Sequence, residues 1–394
     1  MALAPIETIL EDLRQGKVIV LIDDERRENE GDFVVAAEHI NVELINFLTR
    51  VGGGYLCVGM TGEHCDRLEL SPQVASNTSV RGTPFTISVD GHPRHGVSTG
   101  ISSSDRVKTI ELLVDPNSRP DDFVRPGHIN PLRARDGGVL ARTGQTEGSV
   151  DLCKLAGLEP AAVIIEVVRE DGEMARVPDL EVLCEKHNFN MCSVEQIIEY
   201  RLARESLISR IEPTCGTPIE TPYGTFNLIA YHSSIDAVPH LALTVGGVGD
   251  MDEYGSATPS DVPTLVRVHR RNLLGDIFDA TNHPSGKELR SSLRMIAKAG
   301  RGALIYLRPE LYGDEFIDRL QRIQRPVADV NVPDLTRSEK PMDRRDYGIG
   351  VQIIRDLGLK KLILLTNHPK HLKALHGFGI DIDSQLPISV DGDR

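Results

Sequence analysis

Between residues 23 and 32 the chain reads Asp-Asp-Glu-Arg-Arg-Glu-Asn-Glu-Gly-Asp, with six carboxylates in ten residues. Two apolar segments, Val18 to Ile22 and Phe33 to Ala37, flank this run and read as buried strands. A connection so acidic, fixed between buried strands, repels itself. One relief is full solvation as a charged surface loop, the plainer reading on charge alone. The other is a site for a hard cation such as Mg²⁺, which takes oxygen ligands.

At 394 residues the chain is expected to form two domains, on a norm of roughly 100–200 residues each. Either half is long enough to bury its own core. The net charge of -14 leaves no basic stripe for nucleic-acid phosphates, so nucleic acid is not an expected partner. A few local arginines and backbone donors can still hold a small phosphate. The cysteines Cys57, Cys65, Cys153, Cys184, Cys192 and Cys215 form no CxxC pair. They are expected to be reduced thiols of a cytoplasmic protein. Ile6, Ile9, Leu10 and Leu13 fall at helical spacing rather than in a signal peptide, and no apolar run approaches the ~20 residues of a membrane span.

A helix over about 6–15 precedes the first strand, and Asn41 caps a second helix through Arg50. Gly52-Gly53-Gly54 breaks it before a strand at Tyr55 to Met60, and another strand is expected at Phe85 to Val89. The small-residue loop Gly96 to Arg106 enters a helix running through Leu113. Its hydroxyls and N–H groups suit an anion, although plain capping is the simpler reading. In Arg125-Pro126-Gly127-His128-Ile129-Asn130-Pro131, prolines and a glycine fix the backbone around a single histidine. Arg142 and Thr146 stand at the mouth of a helix reaching about Ala156, a phosphate-compatible arrangement. The apolar strand Ala161 to Val168 carries one carboxylate, Glu166, which is costly to bury unless paired or used. A helix from Pro178 to His187 closes the first domain, and the linker is placed at 201–216. The second half alternates strands and helices without internal repeat. The fold expected is α/β (α+β), in two domains, 1–202 and 203–394, each a mixed sheet covered by helices.

Carboxylates, one histidine and an arginine beside Glu166 suit metal-assisted acid–base chemistry on a small phosphorylated polyol. The stretches DDERRENEGD (23–32), GVSTGISSSDR (96–106), RPGHINPLRARDGGVL (125–140), TEGSVDL (146–152) and EDGEMAR (170–176) go further. Over about residues 5–200 they resemble 3,4-dihydroxy-2-butanone 4-phosphate synthase of riboflavin biosynthesis. That resemblance implies conversion of ribulose 5-phosphate to the four-carbon phosphate and formate with Mg²⁺ or Mn²⁺. The steps implied are enolisation, loss of water, a 1,2-shift of the skeleton and release of C4. It implies Glu28 as metal ligand, with Arg27, Glu30 and Asp32 as its substrate-side neighbours. His128 and Glu166 would move protons. Arg142 and Thr146 would grip the phosphate, with Thr143, Gly144 and Gln145 on the same substrate-binding turn and Thr99 as a helper. Cys57 falls near a substrate-facing position, or is simply a buried strand thiol. The family's sites form at a dimer interface, so a homodimer is expected.

One position departs from the pattern. Where the family carries a metal-binding histidine, this chain has Gln145. A Gln carbonyl oxygen can ligate a hard cation but cannot titrate. The expectation is a slower, Mg²⁺-leaning enzyme, against the alternatives of a non-catalytic regulatory or binding protein and of a related reaction on another sugar phosphate.

The second half resembles GTP cyclohydrolase II in VRVHRRNLLGDIF (266–278), DRRDYGIGVQIIRDLG (343–358) and LLTNHPK (364–370). That family holds zinc with three cysteines in a C-x10-C-x-C pattern. Here the matching positions are Asn272, His283 and Ser285, and Cys215 lies well upstream. The family's EGRGIGL stretch reads Glu310 to Phe316 here, without its arginine. Asp343 and Arg345 keep the catalytic Asp-x-Arg spacing. No zinc and no GTP hydrolysis are expected, because one histidine does not replace three thiolates.

Overall fold

A computed structural model describes residues 3–23, 28–79, 82–236, 238–253, 255–279, 285–308, 344–367 and 379–389. The chain divides into two compact units, Met1–Arg201 and Leu202–Arg394. Each is built on a mixed sheet with helices against it, as the alternating pattern requires.

In the first unit α1 (Ile6–Arg14) turns Ile6, Ile9, Leu10 and Leu13 inward. This is the i, i+3, i+4, i+7 stripe of an amphipathic helix. β1 (Ile19–Ile22) and β2 (Gly31–Ala36) follow and pair antiparallel. Asn41 caps α2 (Val42–Phe47) by accepting the Leu44 N–H. Then come β3 (Cys57–Met60), α3 (Gly62–Arg67), β4 (Val89–Gly91), α4 (Ser103–Val114), β5 (Phe123–Arg133), α5 (Gln145–Ala156), β6 (Ala161–Glu166), α6 (Val177–His187), β7 (Met191–Ser193) and α7 (Val194–Arg204). Among the described residues the sheet order is β4-β5-β3-β6-β2-β1-β7, with β1·β7 and β3·β5 parallel.

β1 and β2 are buried throughout, so both sheet faces are covered. One face contributes Val20, Ile22, Phe33, Val35, Val58, Val163 and Ile165 to a core shared with Leu48, Ile110, Leu113 and Leu180. The alternate residues meet α5. A Cβ on Gly59 would come within 3.2 Å of Ser149 Oγ, and one on Gly148 within 2.9 Å of Leu21 Cδ2. Both glycines let the helix press directly on the strands.

The second unit contains β8 (Ile208–Arg210), β9 (Thr217–Thr221), β10 (Gly224–Ser233), β11 (His240–Val245), β12 (Thr264–Arg270), α8 (Leu273–Phe278), α9 (Ser285–Ala299), β13 (Gly302–Leu307), α10 (Arg344–Asp356), β14 (Lys361–Leu365) and β15 (Asp381–Leu386). Its sheet runs β15-β14-β12-β13-β11-β10-β8, with β9 also on β10. Buried clusters on both faces, around Ile305 and Ile353 and around Leu304 and Ile296, make it a layered α/β unit. Among the described residues no helix is long and apolar enough to cross a membrane.

Three local expectations change. The strand expected at Phe85 to Val89 is reduced to isolated bridges at Phe85 and Thr86, with regular pairing starting at Val89. The segment around His128 lies inside the long strand β5 despite its prolines. Pro131 is tolerated because the side of the strand to which its carbonyl points, where Thr86 N–H donates at 3.0 Å, carries only those bridges. The stretch placed as a linker is entered by α7, and β8 and β9 follow at once.

Phe33 is fully buried, with ring centroids 5.7 Å from Phe47 and 5.8 Å from Phe189. Phe33→Ala is expected to cost about 3–5 kcal/mol. Denaturant titration should show the loss in the transition of the first unit, and an unchanged midpoint there would contradict this packing.

Candidate active site

The acidic connection closes on one of its own carboxylates. Asp23 is buried and accepts the backbone N–H groups of Glu28 (3.1 Å) and Glu30 (2.9 Å). Arg176 donates to the carbonyls of Glu28 (2.7 Å) and Asn29 (2.6 Å), and its guanidinium lies 3.7 Å from Glu30. Asn29 takes a left-handed φ of 55°, a conformation Asn adopts more readily than most residues. The loop is therefore anchored at its end, and Glu28 and Glu30 are only half exposed. The solvated-loop reading does not hold for this end of the run. Arg27 lies outside the described residues.

Strand register does the rest. Asp32 on β2 stands opposite Glu166 on β6, and Cys57 on β3 opposite Ile164. Gly59 pairs with Leu132 of β5, two residues along. With a side-chain period of two, these residues share one sheet face. The first turn of α5 abuts that face. The result is a cleft of about 480 Å³, partly open to solvent, lined by Glu28, Glu30, Asp32, Cys57, Thr83, Phe85, Leu132, Arg142, Gln145, Thr146, Ile164 and Glu166.

Each charged group has a specific support. The Tyr55 N–H donates to Glu166 Oε2 at 2.8 Å, and the Gly54 N–H donates to the Glu166 carbonyl at 3.2 Å. A Cβ on Gly54 would lie 2.5 Å from that carbonyl and 2.6 Å from Oε2, so only glycine allows this approach. Arg142 is bound to the fully buried Glu147 at 2.6 Å, and Glu147 also accepts the Arg135 N–H. Gly144 leaves the space that pair occupies, since a Cβ there would meet the Arg142 guanidinium. Thr143 and Gly144 thus shape the turn, and Gln145 and Thr146 start the helix, where N–H groups lack intrahelical partners.

Burial, and then the charges of Glu166, Glu28, Asp23 and Glu30, push the Asp32 carboxyl well above the usual carboxylate range. Glu30 is raised too, first by burial and then by Glu28, Asp23 and Glu166, with Arg176 opposing. Burial, Glu166 and Asp32 push the Cys57 thiol up, which makes it a neutral lining group rather than a nucleophile.

Several expected residues stand elsewhere. His128 is on β5 but does not line this cleft; its ring is bound to Asp90. Thr99 is exposed and also absent from the lining. The 96–106 loop is no open anion site. Asp105 accepts Ser98 N–H, Ser98 Oγ and Gly100 N–H, and Ser102 caps α4. Asp23, Arg176, Tyr55, Thr83 and Phe85 had no assigned role. Arg176 ends the EDGEMAR stretch, and that placement was its only signal.

In the second unit, two of the positions matching zinc cysteines bind a carboxylate instead. Asp276 accepts the Asn272 N–H (2.9 Å) and Ser285 Oγ (2.8 Å), with Tyr306 Oη (2.8 Å) and His269 Nε2 (3.0 Å) completing the set. Asn272 Oδ1 in turn caps α8. Burial works to raise Asp276, but His269, Asn272 and Tyr306 outweigh it and hold the carboxyl below its ordinary value. Asn272 and Ser285 are engaged and neither is a soft ligand, so the residues described do not fit a structural or catalytic zinc. His283, Asp343 and residues 310–316 lie outside the described residues, as does the side chain of Arg345.

Residues 7–200 match the family described as 3,4-dihydroxy-2-butanone 4-phosphate synthase, and residues 212–387 match GTP cyclohydrolase II. Riboflavin biosynthesis protein RibBA of Aquifex aeolicus is 43% identical over 390 residues, covering 98% of this chain and 92% of that protein. RibBA of Mycobacteroides abscessus is 44% identical over 389 residues, covering 98% and 91%. Among solved structures, RibBX, a two-domain 3,4-dihydroxy-2-butanone 4-phosphate synthase from A. baumannii, superposes with a TM-score of 0.76 at 32% identity, covering 97% of this chain and 99% of that one.

The raised carboxyls set a pH dependence. A folded-state value above the unfolded one, near 4, means that the native state holds the proton more tightly. That stability is full below the unfolded value and is lost as pH rises through the folded value. The thermal midpoint of metal-free protein should therefore fall as pH rises above about 4, and Asp32→Asn should flatten the fall. Equal slopes for the two proteins would remove Asp32 as its source.

Proposed function

The chain belongs to the RibBA-type riboflavin biosynthesis proteins, with a 3,4-dihydroxy-2-butanone 4-phosphate synthase domain followed by a GTP cyclohydrolase II domain, and on that premise we propose that its first domain converts ribulose 5-phosphate to 3,4-dihydroxy-2-butanone 4-phosphate and formate. The observation that carries this reading is the convergence of Glu28, Glu30, Asp32, Cys57, Arg142, Gln145, Thr146 and Glu166, from distant parts of the sequence, on one cleft.

Arg142, oriented by Glu147, the Thr146 hydroxyl and the first N–H groups of α5 hold the phosphate. The sugar then extends toward the carboxylates. Asp32, raised by burial and its neighbours, exchanges protons closer to neutrality than an exposed aspartate does. Glu166, held by Tyr55 N–H, presents its carboxylate at a fixed position for proton removal.

The donor set fits a hard cation, because Glu28 and the Gln145 amide both line a cleft crowded with carboxylates. Among the described residues no three His, Cys, Asp or Glu groups form a ready cage. Mg²⁺ or Mn²⁺ would draw its remaining ligands from substrate and water. Held by Glu28 and Gln145, such an ion would polarise the substrate's carbonyl and hydroxyl oxygens.

His128, half exposed and outside its own chain's cleft, fits a homodimer in which it serves the partner's cleft. The engagement of Asn272 and Ser285 with Asp276 supports a second domain without zinc-dependent GTP hydrolysis. The neighbour RibBX, described only as a two-domain synthase, accords with that. We place the protein in the cytoplasm, with a sugar phosphate as its substrate and no nucleic-acid or membrane partner.

Full-length protein with ribulose 5-phosphate and Mg²⁺ should release formate, chelation should stop it, and Glu28→Gln should lower kcat on the order of 100-fold or more. Absence of formate at every metal concentration, with release restored by Gln145→His, would sink the claim for the native chain. Purified protein should contain no zinc and release no formate from GTP. Stoichiometric zinc in the second domain would overturn the reading of that domain.

A further inference from the structure

A second buried carboxylate, on the edge strand β4 of the same sheet, has no part in the cleft. Asp90 on β4 is 5% exposed. Glycines close it in on two sides. A Cβ on Gly100, whose φ is +85°, would fall on the Asp90 carboxylate. A Cβ on Gly127 would fall on the backbone joining Val89 to Asp90. These glycines belong to the 96–106 and 125–140 stretches, whose small residues the phosphate grip does not use. The 96–106 loop is closed on itself by Asp105, which takes the Gly100 N–H, and α4 is tied to β4 where Thr109 Oγ1 accepts the Gly91 N–H.

Both oxygens of Asp90 go to one residue. Oδ1 accepts the His128 backbone N–H at 2.8 Å, and Oδ2 lies 2.7 Å from His128 Nδ1. Among the described residues Asp90 makes no other side-chain hydrogen bond. Burying a carboxylate is costly. Pinning a strand needs only one neutral acceptor, and the second bond, to the ring, is what the charge adds.

We propose that Asp90 is the positioning residue for His128. The proposal rests on the reading that His128 transfers protons in the synthase reaction. An ionised carboxylate only accepts hydrogen bonds, so Nδ1 carries the ring proton and Nε2 keeps its lone pair. The bond to the backbone fixes the strand, and the bond to the ring fixes the imidazole. The His128 side chain is 46% exposed, so its outer nitrogen is accessible to a substrate. When Nε2 takes a proton, the electrons of the broken bond stay on the substrate. The positive charge of the imidazolium then lies beside Asp90, which offsets it. The same proton later leaves from Nε2, and none passes to Asp90.

Asp90→Asn separates this role from a structural one. The amide oxygen can still accept the His128 backbone N–H, but its NH₂ faces Nδ1 and drives the ring proton to Nε2. The full-length variant is expected to keep its thermal midpoint and its KM for ribulose 5-phosphate. Its kcat should fall on the order of 100-fold, close to the fall in His128→Ala. Nitrogen-15 NMR of the wild-type imidazole should show Nδ1 protonated, and this check holds even if the variant fails to fold. Unchanged kcat in Asp90→Asn, with His128→Ala inactive, would overturn the positioning role and leave the reading of His128 standing. Full activity in His128→Ala would instead remove the reading on which the proposal rests. A wild-type ring protonated only at Nε2 would overturn the proposal by itself.

Discussion

The mutual repulsion of carboxylates held on one sheet face is the constraint around which the first domain is arranged. Register places Asp32 opposite Glu166, and the anchored loop adds Glu28 and Glu30. Such a cluster raises the free energy of the folded state unless positive potential is built around it. The surrounding structure reads as a series of responses. Arg176 bridges the loop carbonyls and Glu30, Arg142 is brought in on Glu147, main-chain N–H groups from 54 and 55 meet Glu166, and α5 turns its positive end toward the face. What repulsion remains shows in Asp32, whose carboxyl holds its proton more tightly than an exposed aspartate does.

Much of this was legible from residue patterns. The spacing of Ile6, Ile9, Leu10 and Leu13 specified α1, Asn41 specified the start of α2, and an apolar run ending in a single carboxylate marked β6 and Glu166 together. The motifs named most of the cleft lining. They could not show convergence, because convergence depends on which strands become neighbours, and that is set by long-range pairing. Three kinds of feature were hidden. Prolines kept β5 from being read as a strand, and one of them is tolerated there because its missing donor lies on the weakly paired side. Short strands such as β8 and β9 hold too few buried residues to stand out. Residues that work through main-chain bonds, such as Tyr55 and Arg176, leave little trace in composition. His128 was singled out as the one histidine of its stretch, but its separation from the cleft could be seen only in three dimensions.

The second domain holds a buried carboxylate that is engaged on every side by hydrogen bonds. Asp276 draws groups from β12, α8, α9 and β13 onto a single side chain, as a metal would, but with hydrogen bonds alone. Four hydrogen bonds satisfy the carboxylate without thiolates.

The close approach of α5 to the sheet has one more consequence. Gly59 lets α5 come close to β3 and faces the Thr146 carbonyl itself, while Gly148 makes room for the Leu21 side chain. Gly59 therefore sets the span between the helix mouth and the Asp32–Glu166 pair. The cleft behaves as a gauge of fixed length, and a methyl group added at Gly59 would lengthen the gauge before it disturbed any side chain that lines the cleft.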